Sequence, residues 1–432
     1  MDIRAWKLYP CIGEIHKGNV LIIFEPKDKL FPLVCMVSIR EEIVLHEKVN
    51  PNLVGPSSVS IGFPIYPDLY KIVWSQNDKE IAVQNILVAD EPNQIIVAGP
   101  DKQYKNNLWK RVLQDLQDPY LCTYMIHLGP NIDGKSVFEQ ISSPQTSAKG
   151  QHYADEQYRE QYRSCMSAYH ELSSCVSHYW LWNYNDLGTH LELFDQGLKP
   201  IQKFAIECSI RVHHEFQDMF HLRPVDTKTH TWVKSVGARN DTLLVGVELG
   251  LYAPAHDDVI ALIQDYGSAI KRVIICFGSA PVPNPNVPPL NKGSRRMNNN
   301  HNYWNENETS IFYNALFDWM GMGVGVENVV GEEGVLSDRE VLVIGTGLGL
   351  GMISHMVRGS SYINIMLTGP MAVKTSPDIK AINKAFTGLK MLIDSVEQGH
   401  MMMFVVDLVV NGRCYGLINL DMQPMEMKLT SN

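Results

Sequence analysis

The sequence predicts an N-terminal β-sandwich followed by a larger α/β domain, and three observations support this prediction. The chain has 432 residues, which exceeds the size at which one hydrophobic core keeps growing. Short β-branched and aromatic runs separated by turn residues fill the first 92 positions. Beyond them, strand-like runs alternate with segments of helical period. We therefore expect domains at 1–92 and 93–432.

The N-terminal domain is predicted to be an open, Ig-like sandwich without a disulfide. Its strand-like segments alternate with Pro, Gly, Asn and Asp, which is typical of two packed antiparallel sheets. The segments are Val20-Leu-Ile-Ile-Phe24, Leu33-Val-Cys-Met-Val-Ser38, Glu42-Ile-Val-Leu-His46, Val59-Ser-Ile-Gly-Phe63, Tyr70-Lys-Ile-Val-Trp74 and Ile81-Ala-Val83. No Cys-Trp-Cys framework is present among them.

A β-α-β unit opens the second domain. Gln94-Ile-Ile-Val-Ala98 and Cys122-Thr-Tyr-Met-Ile-His127 are strand-like, and residues 107–116 between them have a helical period. The two strands should therefore be parallel neighbours in one sheet. Further helices are predicted within 153–179, 192–220 and 308–320, and further strands at 179–182, 242–248, 273–277, 340–344, 363–367 and 402–410. The Pro- and Asn-rich residues 279–305 are predicted to form a surface loop.

Composition excludes several classes of protein. Hydrophobic residues make up 45% and charged residues 19%, which indicates a folded chain. The net charge is −10 and no basic run exceeds Arg295-Arg296, so we expect no nucleic-acid partner. The N-terminus lacks the apolar core of a signal peptide, and no run of 18 uncharged apolar residues follows. We therefore expect an intracellular, cytoplasmic protein without a membrane partner, whose eight cysteines are reduced and structural.

Candidate site residues follow the predicted strands, because reactive groups of α/β proteins gather at the carboxyl ends of strands. The four segments are Val97-Ala-Gly-Pro-Asp101, Ile126-His-Leu-Gly-Pro-Asn-Ile-Asp133, Leu181-Trp-Asn-Tyr-Asn-Asp-Leu-Gly188 and Val343-Ile-Gly-Thr-Gly-Leu-Gly-Leu-Gly351. Side-chain oxygens that could serve as metal ligands belong to Asp101, Asp133, Asn183, Asn185 and Asp186. A turn or helix-cap role is the simpler interpretation of each.

Motifs in this order resemble the PhoD-like members of the metallophosphatase superfamily. They are Asn106-Asn-Leu-Trp-Lys-Arg, His127-Leu-Gly-Pro-Asn-Ile-Asp-Gly-Lys-Ser-Val-Phe138 and Tyr158-Arg-Glu-Gln-Tyr-Arg163. Arg339-Glu-Val-Leu-Val-Ile-Gly345 resembles the lead-in to that family's last metal-binding strand, and residues 299–319 resemble the loop and helix before it. The family often carries an N-terminal Ig-like domain. The resemblance implies a metallophosphatase-like α/β/β/α sandwich for residues 93–432.

The resemblance also implies two metal ions, held by Asp, His and Asn, that activate water for phosphoester hydrolysis. This chain departs from that pattern at three strand ends. Pro130 stands where a bridging carboxylate is expected, and Thr346 and Leu348 replace an Asp and a His. The Asp-Asp-His-Glu segment is shortened to residues 182–188. On a separate strand, Glu248-Leu-Gly250 also replaces an Asp-x-Arg of the family. The vestigial metal-site positions are Asp101, Pro130, Asn131, Asp133, Asn183, Asn185, Asp186, Thr346 and Leu348.

We therefore expect a catalytically inactive homologue, without catalytic residues, metal or other cofactor, that binds protein partners or associates with itself. A component of a larger particle, such as a virion, is one form of this hypothesis. The alternative is a phosphomono- or diesterase with a rearranged Mn, Fe or Ca site built from Asp101, Asp133, Asn183 and Asp186 with His301. A third hypothesis is that the chain binds a phosphate-bearing ligand in the former metal cleft without hydrolysing it.

Two histidine groups and two contact surfaces complete the predictions. His127 is predicted to be a packed, hydrogen-bonded core residue rather than a ligand. His213-His214 with His221 could form a metal face on a helix, although solvated or capped histidines are the commoner case. For association we expect an exposed edge of the sandwich or the loop at 281–305 to be the contact surface.

Overall fold

Seven antiparallel strands form two sheets in the N-terminal part of the chain, as the computed structural model shows. They are β1 (Trp6–His16), β2 (Asn19–Pro26), β3 (Leu33–Ile39), β4 (Glu42–Val49), β5 (Ser57–Gly62), β6 (Asp68–Gln76) and β7 (Lys79–Val88). The sheet orders are β1-β2-β5 and β4-β3-β6-β7. The described residues are 3–89, 92, 94–99, 123–129, 131–143, 149–188, 199–222, 231–236, 240–247, 256–266, 269–283, 303–304, 306–321, 339–346, 350–359, 361–368, 385–386, 389–398, 403–407, 414–418 and 424–425.

Apolar side chains that alternate along the strands form the core of the sandwich. The Trp74 ring packs 5.0 Å from the Phe24 ring and 6.3 Å from the Trp6 ring, measured between centroids. Each of the six predicted segments lies within one of the strands β2 to β7 or extends one residue beyond it. The sandwich is therefore present, whereas its Ig-like type and the boundary at residue 92 stay predictions.

Strand β1 was not predicted, and its surroundings explain why. Pro10 and Gly13 interrupt the run, and residues 8–15 are all buried, so no alternation marks a strand. Leu8 packs with helices from later in the chain, and Ile12 packs with the sandwich core. Strand β1 therefore has apolar neighbours on both faces.

Two mixed sheets and their helices form the second part. The strands are β8 (Gln94–Ala98), β9 (Thr123–His127), β10 (Ser177–Trp180), β11 (Thr231–Val236), β12 (Thr242–Val247), β13 (Arg272–Phe277), β14 (Ala280–Pro283), β15 (Tyr303–Trp304), β16 (Glu340–Thr346), β17 (Leu350–Arg358), β18 (Ser361–Thr368), β19 (Ala385–Phe386), β20 (Leu389–Gln398), β21 (Met403–Asp407), β22 (Cys414–Ile418) and β23 (Pro424–Met425). The first sheet has the order β10-β9-β8-β21-β22-β23, and the second has the order β11-β12-β13-β16-β18-β17-β20-β19. Strands β14 and β15 pair separately.

The helices are α1 (Gly134–Ile141), α2 (Gln151–Ala168), α3 (His170–Ser173), α4 (Tyr184–Leu187), α5 (Pro200–Phe216), α6 (His256–Asp265) and α7 (Glu306–Trp319). Short 3-10 turns cover Ile3–Ala5 and Asp218–Phe220. In the described part of the chain, no helix is both long and apolar enough to cross a membrane. The predicted helix at 107–116 lies outside the described residues.

The central strands are buried on both faces, and their side chains point alternately to the two sides, which defines four layers. Ile126 of β9 and Ile274 of β13 point into the space between the two sheets. Their neighbours Met125 and Ile275 point outward, to helices α1, α2 and α5 on one side and to α6 and α7 on the other. The predicted α/β/β/α sandwich is therefore confirmed.

Parallel pairing brings several strand ends to one edge of the molecule. β8, β9 and β10 are parallel neighbours in the first sheet, as the β-α-β prediction requires for β8 and β9. β12, β13, β16 and β18 are parallel neighbours in the second. The carboxyl ends of neighbouring parallel strands therefore lie close together.

The Tyr-Arg-x-x-Tyr-Arg motif lies on α2 and joins the two parts of the chain. Arg163 makes two hydrogen bonds to the buried Glu25 of β2, at 2.7 and 2.8 Å. Arg159 makes two to Glu215 of α5, both at 2.7 Å. Paired bonds of this kind fix orientation, so the motif holds α2 against the sandwich and against α5.

Candidate functional site

Asp186, in helix α4, organises the loops that follow β9 and β10. Its buried carboxylate accepts hydrogen bonds from three backbone amides. The donors are the nitrogens of Asn131 at 2.6 Å, Ile132 at 2.9 Å and Asn183 at 3.0 Å. Two of these donors lie in the loop after β9, so Asp186 ties that loop to the end of β10.

Two amide side chains extend this network across the sheet ends. The Asn131 Nδ2 donates to the carbonyl oxygen of Leu181 at 3.0 Å. The Asn183 Nδ2 donates to the carbonyl oxygen of Gly278, which directly follows β13 of the second sheet. The ends of the two sheets are therefore joined by hydrogen bonds at this point.

The backbones of these loops are in direct contact. A Cβ atom at Gly278 would lie 2.9 Å from the carbonyl oxygen of Trp182 and 3.2 Å from that of Leu128. A Cβ atom at Gly129, whose φ is +67°, would lie 2.9 Å from the carbonyl oxygen of Leu181. Both positions require glycine because backbone atoms occupy the space of a side chain. The loops therefore close against one another between the sheet ends.

The end of β16 is joined to the same region. The Thr346 amide donates to the carbonyl oxygen of Ser279 at 3.1 Å. The Thr368 hydroxyl donates to the carbonyl oxygen of Gly345 at 3.3 Å. Thr346 itself is buried, and its hydroxyl lies 3.5 Å from the carbonyl oxygen of Thr368. Its side chain therefore serves the contact between β16 and β18.

The predicted site residues separate into three groups. Asn131, Asn183 and Asp186 come together in one network. Asp133 caps α1, where its carboxylate accepts from the Ser136 amide at 3.4 Å. Asp101, Pro130, Leu348, His301, Glu248 and the side chain of Asn185 lie outside what the structure describes.

The described residues at these strand ends do not fit a pair of divalent ions. Such a pair requires several carboxylate and imidazole ligands. In this described region Asp186 is the one buried carboxylate, and three backbone amides already bind it. Thr346 offers a neutral hydroxyl. These residues instead act as turn and loop anchors.

A pair of histidines lies behind the strand ends, on the side of the helices. The His127 Nε2 and His178 Nδ1 atoms are 2.8 Å apart, and the His127 ring stacks 3.8 Å from the Trp180 ring. Burial lowers the pKa of His178 to about 3. The pKa of His127 is also well below its usual value, because His127 is buried and lies beside His178. Both rings are therefore neutral near pH 7. His127 agrees with the packed-core prediction, whereas His178 gave no sequence signal.

Comparisons with known proteins rest on structure. No family model and no curated protein matches this sequence. A solved structure of PhoD aligns with a TM-score of 0.60 and 10% identity, covering 99% of this chain and 94% of that one. A purple acid phosphatase from yellow lupin (Lupinus luteus) aligns with a TM-score of 0.59 and 8% identity, covering 97% and 73%. Identities this low establish a common fold and no more.

These neighbours overturn one prediction and confirm another. The expectation that the chain uses no cofactor is contradicted, because PhoD and purple acid phosphatase are metal-dependent enzymes. The resemblance itself is confirmed over nearly the full length. The chain thus has the metallophosphatase fold that PhoD and purple acid phosphatase share.

Proposed function

We propose that this protein uses a phosphoesterase-like fold as a scaffold for binding protein partners or further copies of itself, without hydrolysing phosphate esters at its strand ends. The observation that supports the absence of hydrolysis is the bonding of Asp186, whose carboxylate accepts three backbone hydrogen bonds. A metal ion bound away from these strand ends is compatible with this proposal.

The energetics of Asp186 argue against a catalytic role. Moving its carboxylate towards a substrate would leave the buried amides of Asn131, Ile132 and Asn183 without their acceptor. Each unsatisfied buried donor costs about 1–3 kcal/mol. A catalytic carboxylate instead needs to reach the reacting atoms directly or through one water. Asp186 therefore acts as a loop anchor.

Strand β4 supports the binding role. It lies at the edge of the four-stranded sheet, and within the described residues β3 is the strand that pairs with it. Ile43 is 62% exposed and Val44 is 36% exposed. An edge strand with apolar side chains in solvent is a template for strand addition by another chain. We assign β4 as the contact surface.

Hydrolysis is tested with purified full-length protein. We expect p-nitrophenyl phosphate and bis-p-nitrophenyl phosphate to be hydrolysed at the background rate with Mn²⁺, Fe²⁺, Ca²⁺ or Zn²⁺ present. The Asp133→Ala variant, which loses an exposed helix cap, serves as the comparison. If the unmodified chain hydrolysed either substrate and Asp133→Ala or Asn183→Ala abolished this activity, the rearranged hydrolytic site would be established instead.

Association is tested by light scattering on the purified chain and by pull-down from its natural source. We expect Val44→Lys to abolish association, because a lysine on an edge strand blocks further pairing. Leu69→Lys is the matched control, since Leu69 is 47% exposed but lies on β6, which has a neighbour on both sides. Association that survives Val44→Lys, or a strict monomer without partners, would contradict the assignment.

A further inference from the structure

The carboxyl end of α5 carries a group of metal-ligating side chains apart from the strand ends. His213 and His214 lie in the last turn of α5, and Asp218 begins the 3-10 turn that follows. One ligand atom of each residue lies within 4.8 Å of the other two. Two imidazoles and a carboxylate on one short segment are thus close enough to share an ion.

The three side chains are arranged from the interior to the surface. His213 is fully buried, and its ring stacks 4.5 Å from the ring of Trp182. The side chains of His214 and Asp218 are 34% and 22% exposed. The His214 Nδ1 and the Asp218 Oδ2 are hydrogen bonded to each other. One ligand is therefore held rigidly by packing, while the other two face solvent, from which an ion can enter.

Polar atoms beside this group are buried without hydrogen-bond partners among the described residues. They are the second carboxylate oxygen of Asp218, Oδ1, and both side-chain atoms of the fully buried Gln217, Oε1 and Nε2. A buried carboxylate oxygen without a donor is costly, and a bound cation removes that cost. The two acceptor oxygens among these atoms, Asp218 Oδ1 and Gln217 Oε1, thus give the end of α5 unmet capacity for a positively charged ligand, in contrast to Asp186.

We propose that His213, His214 and Asp218 bind one divalent transition-metal ion, of the class represented by Zn²⁺. Two histidines with one carboxylate is a common ligand set for Zn²⁺ and for non-haem Fe²⁺. Metal–ligand bonds of about 2.0–2.2 Å need only a small closing of the group. Solvent fills the remaining coordination positions on the exposed side.

The proposed ion has a structural consequence. Trp182, which stacks on His213, directly precedes Asn183 of the strand-end network. An ion on His213 would hold the end of α5 against Trp182 and so against that network. The site lies on the helix side of the first sheet, where Trp182 and the buried apolar residues of α5 pack together.

The test is calorimetric titration of ZnCl₂ into the EDTA-treated full-length chain. We expect one ion per chain and a visible absorption band when Co²⁺ replaces Zn²⁺. His214→Ala and Asp218→Asn should each weaken Zn²⁺ binding by at least about tenfold. His152→Ala is the matched control, because His152 is an exposed histidine on α2, and it should bind as the unmodified chain does. Mg²⁺, which prefers oxygen ligands, should bind much more weakly.

Three outcomes would overturn the proposal. The first is the absence of saturable Zn²⁺ binding at a Zn²⁺ concentration about 100 times that of the protein. The second is a Zn²⁺ affinity of His214→Ala equal to that of the unmodified chain. The third is a loss of Zn²⁺ affinity in His152→Ala as large as that in His214→Ala. Circular dichroism of each variant shows whether it is folded, and both tested ligands are partly exposed, so their replacement should leave the fold intact. The readout is binding, so it is independent of the hydrolysis assays above.

Discussion

The strand-end loops and the end of α5 both gather buried polar groups, but the two regions satisfy them differently. At the strand ends, the Asp186 carboxylate is fully engaged by backbone amides. At the end of α5, an Asp218 oxygen and the Gln217 amide have no partner among the described residues. The residue type alone therefore does not show whether an aspartate holds a loop in place or can bind an ion. The difference depends on whether hydrogen-bond donors already occupy both carboxylate oxygens.

The largest effect should come from removing the anchor. Asp186→Ala leaves three buried backbone amides without an acceptor, so we expect a loss of roughly 3–5 kcal/mol in unfolding free energy, or failure to fold. Asp186→Asn, which keeps an acceptor oxygen, should lose less. Urea denaturation followed by circular dichroism measures both. A loss below about 1 kcal/mol for Asp186→Ala would contradict the anchor role.

Acid should weaken the fold through the histidines behind the strand ends. The pKa of His178 is about 3 in the folded chain and about 6.5 when unfolded. Between these values the unfolded chain binds a proton that the folded chain does not. The contribution of His178 to the unfolding free energy is therefore fully present above pH 6.5. Between pH 6.5 and 3 this contribution falls by about 1.4 kcal/mol per pH unit, which amounts to a loss of about 2 kcal/mol at pH 5.

The measurement is a series of urea denaturations between pH 7.5 and 4.5. His178→Phe removes one titrating group, so its unfolding free energy should depend less steeply on pH than that of the unmodified chain. The slopes are compared rather than the stabilities, because the substitution also changes packing. Identical slopes would show that His178 binds protons equally well in the folded and unfolded states, which would contradict the lowered pKa.

Closure of the strand-end loops predicts a smaller loss. A methyl group at Gly278 would approach the carbonyl oxygens of Trp182 and Leu128 too closely, so Gly278→Ala should cost about 1–3 kcal/mol. Gly62→Ala is the matched control, since its Cβ would meet a single side-chain atom at 3.5 Å. Thermal unfolding of both variants tests the difference. If both were equally stable, the loops would have room between them.

The smallest effect should be at the end of α5. Asp218→Asn in the metal-free chain removes a charge that has one unpartnered oxygen, so we expect a change of less than about 1 kcal/mol. The same substitution at position 186 should cost more, because there the carboxylate accepts three buried backbone hydrogen bonds. A loss of more than about 2 kcal/mol in the unfolding free energy of metal-free Asp218→Asn would show that Asp218, like Asp186, is required for the fold.

Much of the framework was predictable from local pattern. Strands β2 to β9 alternate or are short apolar runs between turn residues, and each was predicted to within a few residues. The strand predicted at 179–182 lies at Ser177–Trp180, and the helix predicted across 153–179 divides into α2 and α3. Boundaries shift in this way because capping and packing, rather than propensity, end an element.

The candidate site was predictable in position but not in bonding. The sequence placed Asn131, Asn183 and Asp186 after predicted strands, and the three residues do meet. The partners of Asp186 at Asn131 and Ile132 are 55 and 54 residues away along the chain. No local pattern encodes such a contact. His178 was missed for the same reason, since its partner His127 is on the neighbouring strand.

By itself, the sequence determined the alternation of strands and helices, the N-terminal sandwich and the motifs that resemble PhoD-like proteins, because these depend on residues close together in the chain. The tertiary structure alone decided which polar groups became anchors and which kept the capacity to bind an ion. That outcome depends on donors and acceptors brought together from distant segments. The same residue type, aspartate, is satisfied at position 186 and leaves one oxygen without a partner at position 218.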